Sequence, residues 1–256
     1  MSVNPEETLT LYLRGLKLPA FNLHWQEVAT TAEKQGWSFG QFLHHLAELE
    51  TQRRTTRRIQ RFLRESNLPM TKTLGSLELE KLPEKVRRSL PRLCKGGFVD
   101  RGDNLLVFGL PGRGKTHVVC AIGHELVQSG RRVLFVSTNL LVQRLLAAKR
   151  DLQLERELKR IDRFDAVILD DLGYVQQDRA EMEVLFTLLA ERYERKSVII
   201  TSNLVFSQWD QIFKDPMTTA AAIDRVVHHS VILEMTNGSI REEQAKARFD
   251  SASERE

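Results

Sequence analysis

A chain of 256 residues, 41% hydrophobic and 28% charged, carries enough apolar side chains for one large core, or a medium core and a smaller one. No apolar run approaches a membrane span, which argues against a membrane partner. A formal net charge of +4 and a pI near 9.1 permit an anionic partner without demanding one.

The chain opens on Asn4, Pro5, Glu6 and Glu7, without the basic-then-apolar order of a signal peptide. Two cysteines, Cys94 and Cys120, form no metal or disulfide spacing, so a reducing, cytoplasmic setting is expected. Residues 8–62 read as helices. Leu9, Tyr12, Leu13, Leu16 and Leu18 begin an apolar pattern that Pro19 interrupts. Residues 21–34 form a second amphipathic segment, which Gly36 breaks. Ser38 then stands at an N-cap position, and a third helix carries Phe39, Phe42, Leu43, Leu46 and Leu49 on one face. That helix runs into the densest basic cluster of the chain, Arg53, Arg54, Arg57, Arg58 and Arg61, with almost no compensating acid. A solvated helix face or a phosphate-binding face both fit such a run. Residues 66–72 look like a linker, which places a boundary near Lys72 between a helical domain, 1–72, and a second domain, 73–249. Residues 74–93 hold short apolar pieces interrupted by Pro83 and Pro91. Residues 250–256 are a small, charged tail.

The second domain is built around one stretch. Asn104 to Phe108 are an apolar strand. Gly109, Leu110, Pro111, Gly112, Arg113, Gly114, Lys115 and Thr116 then fit G-x-x-x-x-G-K-[ST], the P-loop pattern, and His117 continues into a helix. Glycines let successive N–H groups turn inward as an anion nest, and the helix adds the positive end of its dipole. Lys115 can reach the β- and γ-phosphates of ATP, and the Thr116 hydroxyl can ligate Mg²⁺. After the helix at 117–128, ended by Gly130, strands at 132–137, 166–171, 197–203 and 231–235 alternate with helices at 139–149, 152–161, 178–194 and 218–227. That alternation predicts a mainly parallel sheet covered on both faces.

Asp170 ends an apolar strand, so its carboxylate emerges at the sheet edge where α/β folds bind ligands. It is a candidate Mg²⁺ ligand with Thr116. Asp171 follows it and can face an attacking water where the chain turns. Two adjacent buried carboxylates need a compensating cation, which Mg²⁺ and Lys115 would supply. Asn203 ends the next strand and can hydrogen-bond the water or the γ-phosphate. Arg225 fits either an ordinary charge paired to Asp224 or an arginine finger. His228 and His229 lack a third ligand at metal spacing. Lys149 and Arg150 end another helix and are further candidate phosphate contacts.

In order, the P-loop, Ile168-Leu169-Asp170-Asp171-Leu172-Gly173, Ile200-Thr201-Ser202-Asn203, Asp224-Arg225-Val226-Val227-His228-His229 and Gly238-Ser239-Ile240-Arg241 resemble the IstB-type transposition helper ATPases. These are relatives of the DnaC and DnaI helicase loaders in the AAA+ superfamily. Leu16 to Ala20 and the helix start at Gly36-Trp37-Ser38-Phe39 resemble that family's helical amino-terminal domain. The resemblance implies a five-stranded parallel sheet of order 5-1-4-3-2 without a full helical lid. It implies Asp170 as the Walker B acid, Asp171 as the water-orienting acid, Asn203 as sensor 1, Arg225 as a finger acting on a neighbouring subunit, and Arg241 at the nucleotide. This chain has Asp171 where most AAA+ proteins carry Glu, which implies slow turnover, and Ile240 where the family motif often has Tyr. The function implied is an ATPase that oligomerises as a ring or helix on duplex DNA and engages the transposase of its insertion sequence. A helicase loader acting with single-stranded DNA is the alternative. A small-molecule P-loop kinase fits the paired acids and the late arginine less well, and the short Asp171 leaves room for a non-hydrolysing scaffold.

Overall fold

The computed structural model describes residues 5–173, 179–204, 208 and 223–240. The chain divides into two compact units, residues 1–61 and 62–256. In the first, α1 (Pro5–Gly15) and α2 (Pro19–Gln35) precede α3 (Phe39–Ser66), a helix that continues into the second unit. Proline at the first position of α2 has its φ preset for a helix and no N–H to leave unpaired. Gly36, at φ 64°, ends α2 in the left-handed conformation. Ser38 and Gln41 cap α3 reciprocally: Gln41 N–H donates to Ser38 Oγ at 3.3 Å, and Ser38 N–H to Gln41 Oε1 at 2.8 Å.

The expected apolar face of α3 is narrower than the sequence suggests. Leu46 is buried, but Phe39 and Leu43 are 94% and 59% exposed. At 100° per residue they lie about 60° and 100° from Phe42, on the flank of the 42–46–49 stripe. Within the basic run, Arg54 is a brace. Its Nε donates to Glu50 at 2.7 Å and its Nη2 to the Lys17 carbonyl at 2.8 Å, while buried Glu50 also accepts from Ala20 N–H at 2.8 Å. An orphan donor of α2 and a carbonyl just beyond α1 are thereby satisfied.

The second unit holds α4 (Glu84–Cys94), α5 (Gly97–Asp100), β1 (Asn104–Phe108), α6 (Lys115–Gln128), β2 (Val133–Ser137), α7 (Thr138–Arg150), α8 (Leu154–Ile161), β3 (Ala166–Leu172), α9 (Arg179–Arg192), β4 (Ser197–Ser202) and β5 (Ser230–Glu234). All paired strands are parallel, in the order β2-β3-β4-β1-β5. This is the expected 5-1-4-3-2 order from the other edge. β1 and β4 are buried along their whole length, as central strands covered on both faces must be. α7 and α9 pack together over one core, which includes Leu106, Leu145, Leu169 and Leu185.

Three local expectations change. The helix expected from 139 starts one residue earlier, because Ser137 Oγ accepts from Leu140 N–H and caps it. Pro91 lies inside α4 instead of interrupting it. Residues 66–72 are packed, not a free linker: Leu68 is buried, and a Cβ added at Gly123 of α6 would lie 3.0 Å from it. Residues 241–256 and the first half of the helix expected at 218–227 lie outside the described residues, and with them Arg241 and the tail.

Candidate active site

Parallel strands all deliver their carboxyl ends to one edge of the sheet, and β1, β3 and β4 are neighbours there. A cleft of about 330 Å³ opens at that edge, lined by the loop 111–116, His117, Asp171, Asn203, Ile240 and part of the segment 72–78. Gly109 follows β1 where β5 ends, and a Cβ there would sit 2.7 Å from Met235. Gly112 and Gly114 have φ of 81° and 88°, which side chains resist. The residues after β5 back the loop. Ile240 N–H donates to the Gly112 carbonyl, and Arg113 donates to the Met235 carbonyl at 3.0 Å. That tie anchors one nitrogen of Arg113 to the residue that follows β5.

Lys115 is 6% exposed, and its Nζ donates to the carbonyls of Gly109 and Leu110 at 2.6 and 3.1 Å. The lysine lies along its own loop, within reach of the space that the loop encloses. Across from it the Asp170 carboxyl is buried and accepts from Thr201 Oγ1 at 2.6 Å. Burial raises its pKa above the ordinary carboxylate value and the Asp171 charge adds to the rise, while hydrogen bonds from Thr201 and Thr116 and the charge of Lys72 oppose it. A β-bulge between Leu169 and Leu172 sets the two acids apart, and Asp171 takes φ 59°. The register break turns Asp171 outward into the cleft, which resolves how consecutive strand residues can serve one site. Its N–H donates to Thr201 Oγ1 at 2.9 Å, so a single hydroxyl on β4 holds both acids. Asn203 lines the cleft, and its buried Oδ1 has no hydrogen-bond partner.

These features fit Mg²⁺ with a nucleotide: an orphaned amide oxygen, a buried carboxylate whose charge lacks full compensation, and a threonine hydroxyl beside it. The structure brings together Lys115, Thr116, Asp170, Asp171 and Asn203. Arg225 is elsewhere. It sits in the helical turn 223–227, with its guanidinium 4.6 Å from the Phe186 ring centroid and one buried nitrogen unpartnered. The next residue, Val226, accepts from Asn104 Nδ2 at 3.0 Å, which places this turn at the amino end of β1.

Sequence reasoning missed Thr201, whose role arises across the sheet, and the wall formed by Lys72, Ser76, Leu77 and Glu78. It also missed Glu194, which joins His228 and His229 in an exposed trio whose ligand atoms lie within 4.8 Å of one another. Glu194 is over thirty residues from the histidines, so no spacing rule could reveal it. Lys149 pairs with Glu183 at 2.7 Å, and Arg150 is exposed.

Sheet order, P-loop and strand-end acids define a P-loop ATPase of the AAA+ class. The chain belongs to the family described as IstB-like ATP binding protein, which it matches over residues 11–248. It is 44% identical to an insertion-sequence ATP-binding protein of Sinorhizobium fredii, over 94% of this chain and 81% of that one. It is 34% identical to the IS21 ATP-binding protein of Pseudomonas aeruginosa, over 93% and 91%. In fold it is similar to the DnaC helicase loader (TM-score 0.53, 19% identity, 68% of this chain and 98% of that one). It is likewise similar to DnaA from Aquifex aeolicus bound to AMPPCP (TM-score 0.55, 19% identity, 71% and 56%). No described helix is long and apolar enough to cross a membrane.

Proposed function

We propose that this protein is the ATP-dependent, DNA-binding regulator of an insertion sequence. It assembles on duplex DNA and engages the transposase encoded with it. Its relatives carry insertion-sequence names, which supplies the setting. The observation that carries the assembly step is the separation of Arg225 from the cleft. The five residues of β1 lie between them, roughly 16 Å of strand. An arginine side chain does not span that distance, which supports the reading in which Arg225 serves the nucleotide of a neighbouring subunit.

Lys115 leaves the loop carbonyls to take the β- and γ-phosphates. Thr116 and Asp170 would hold Mg²⁺, which supplies positive charge to the terminal phosphates when bound. Asp171 orients the attacking water, and Asn203 fixes that water through its unpartnered Oδ1 or the γ-phosphate through its amide N–H. Arg225 from the neighbour balances the charge that develops on the transferring group.

The DNA contact is assigned to α3. At 100° per residue Arg53, Arg57, Arg61, Arg54 and Arg58 fall within about 140° of one helix face. Arg54 is committed to Glu50; the phosphate contacts assigned to α3 are Arg53, Arg57, Arg58 and Arg61. Lys149, which also pairs with Glu183, and Arg150 are separate candidate contacts on α7. The test is binding to duplex and single-stranded DNA, with ATP, across a salt series. Duplex preference is expected, with little dependence on sequence. Replacing Arg53, Arg57, Arg58 and Arg61 by Gln should flatten the log–log salt slope by up to roughly 3.6, at 0.9 per phosphate. An unchanged slope removes α3 from the interface. Single-strand preference with capture of a ring helicase instead of the transposase supports a helicase loader.

A further inference from the structure

The segment that follows α3 runs along one face of α6, and two histidines hold it there. His124 Nε2 donates to the Pro69 carbonyl at 3.1 Å, and His117 Nε2 to the Thr73 carbonyl at 3.2 Å. Seven residues apart, these histidines share a face of α6 with buried Cys120. Residue 69 therefore meets the later part of α6 and residue 73 its first turn, so the segment runs toward the P-loop. Its course is braced internally as well. Lys72 N–H donates to the Pro69 carbonyl, and Ser76 Oγ donates to the carbonyls of Thr71 and Thr73 while accepting from Thr73 N–H. Gly123 admits the close approach of Leu68 at the other end.

This fixed course delivers Lys72 to the first turn of α6. Its side chain is half-buried and lines the cleft with Thr116, His117 and Asp171. Among the described residues its ammonium makes no hydrogen bond or ion pair. Lys115 donates to carbonyls of its own loop and Arg113 to Met235; among the described residues that line the cleft, Lys72 is the cation without a hydrogen bond or ion pair.

We propose that Lys72 is a second nucleotide-binding lysine, whose ammonium contacts the terminal phosphates of the nucleoside triphosphate from the Thr116–Asp170 side of the cleft. The proposal rests on the reading of this cleft as the ATP site. Lys72 adds charge in cis where Lys115 approaches from within the loop, and it makes the site favour the triphosphate over the diphosphate. The rival role is purely structural, an ammonium that offsets the buried Asp170 carboxylate.

The experiment compares wild type, Lys72→Gln, Lys72→Arg and Lys115→Ala. Calorimetry measures AMPPCP and ADP binding with Mg²⁺ present, and thermal unfolding is followed without nucleotide. Lys72→Gln should weaken AMPPCP about tenfold, equivalent to about 1.4 kcal/mol, and ADP by less than about threefold. Lys72→Arg should recover most of the AMPPCP affinity, because it keeps the charge and can donate to phosphate. An unchanged AMPPCP-to-ADP ratio in Lys72→Gln overturns the proposal, and a lower nucleotide-free melting temperature with that unchanged ratio assigns Lys72 to Asp170 alone. Should Lys72→Gln fail to fold, the comparison passes to Lys72→Met, with the same ratio as the criterion. Wild-type nucleotide affinity in Lys115→Ala would instead overturn the reading of the cleft itself.

Discussion

Replacing Thr201 by Val isolates the contact that aligns both acids. The substitution keeps the branched shape but removes the hydroxyl that donates to Asp170 at 2.6 Å and accepts from Asp171 N–H at 2.9 Å. A hydrogen bond to a charged group contributes about 1.5–3 kcal/mol. Expressed fully in the transition state, that is a fall in turnover of about 10- to 150-fold. Nucleotide affinity should change little, since neither Lys115 nor the loop touches Thr201 among their described hydrogen bonds. The pH profile supplies a second readout. Thr201 opposes the rise in the Asp170 pKa, so its loss drives that pKa further up, and the acid limb of turnover should move to higher pH. Thr201→Ser should retain both the rate and the limb. The assay is phosphate release at saturating ATP from pH 5 to 9, with AMPPCP binding measured alongside. A Thr201→Val protein that turns over within twofold of wild type, with the same acid limb, would refute the claim that this hydroxyl positions the acids.

Lys115→Ala should abolish tight ATP binding, whereas Asp171→Asn should bind ATP and lose hydrolysis; equilibrium binding beside phosphate release separates the two. Asp170→Asn should abolish hydrolysis yet raise the metal-free melting temperature at neutral pH. The folded-state pKa of Asp170 is raised, so stability falls as pH rises from the unfolded value through the folded one. The gain from Asp170→Asn should therefore vanish once the pH drops below the ordinary carboxylate range, and a gain that persists there would show that burial of the charge is not its cause. Arg225→Ala should nearly silence hydrolysis, by about 10³-fold or more, while each subunit still binds ATP. Mixed with inactive Lys115→Ala protein it should regain activity, and failure in a mixture shown to co-assemble would demote Arg225 to a partner of Phe186.

The legible features were those whose chemistry is local in the chain. The loop 109–116, the strand-end Asp170 and Asn203, the Ser38 cap and the alternation of strands with helices each lie within a few consecutive residues. The strand order came from the family resemblance, because no local pattern encodes which strands become neighbours. Thr201 and Lys72 escaped for a physical reason. Their roles depend on partners some 30 or more residues away, across a sheet or along a helix face. Arg54 is the instructive case. Glu50 stands four residues before it, the spacing of an ion pair on one helix turn, so a brace within the basic run was visible and was read as charge alone. Phe39 and Leu43 mark the opposite error, in which every apolar residue near a helical repeat was assigned to the buried stripe although these two are exposed.

Asp171 joins these levels. Read as a side chain, an aspartate in place of glutamate is one methylene short, and slow turnover follows. The backbone modifies that conclusion. The bulge places residue 171 at φ 59°, where Asp is among the few non-glycine residues tolerated, because its short polar side chain can bond locally. Glutamate lacks that preference. The strand itself supplies part of the reach that a longer side chain would give: the bulge turns the residue out of the sheet, and Thr201 clamps its N–H so that the carboxylate projects into the cleft. Lengthening the acid by Asp171→Glu therefore adds reach and backbone strain together, in a site whose geometry is already set by the clamp. The slower turnover expected from the shorter acid and the bulge that presents it are parts of one arrangement, in which the position of the backbone, more than the length of the side chain, sets how far the carboxylate reaches into the cleft.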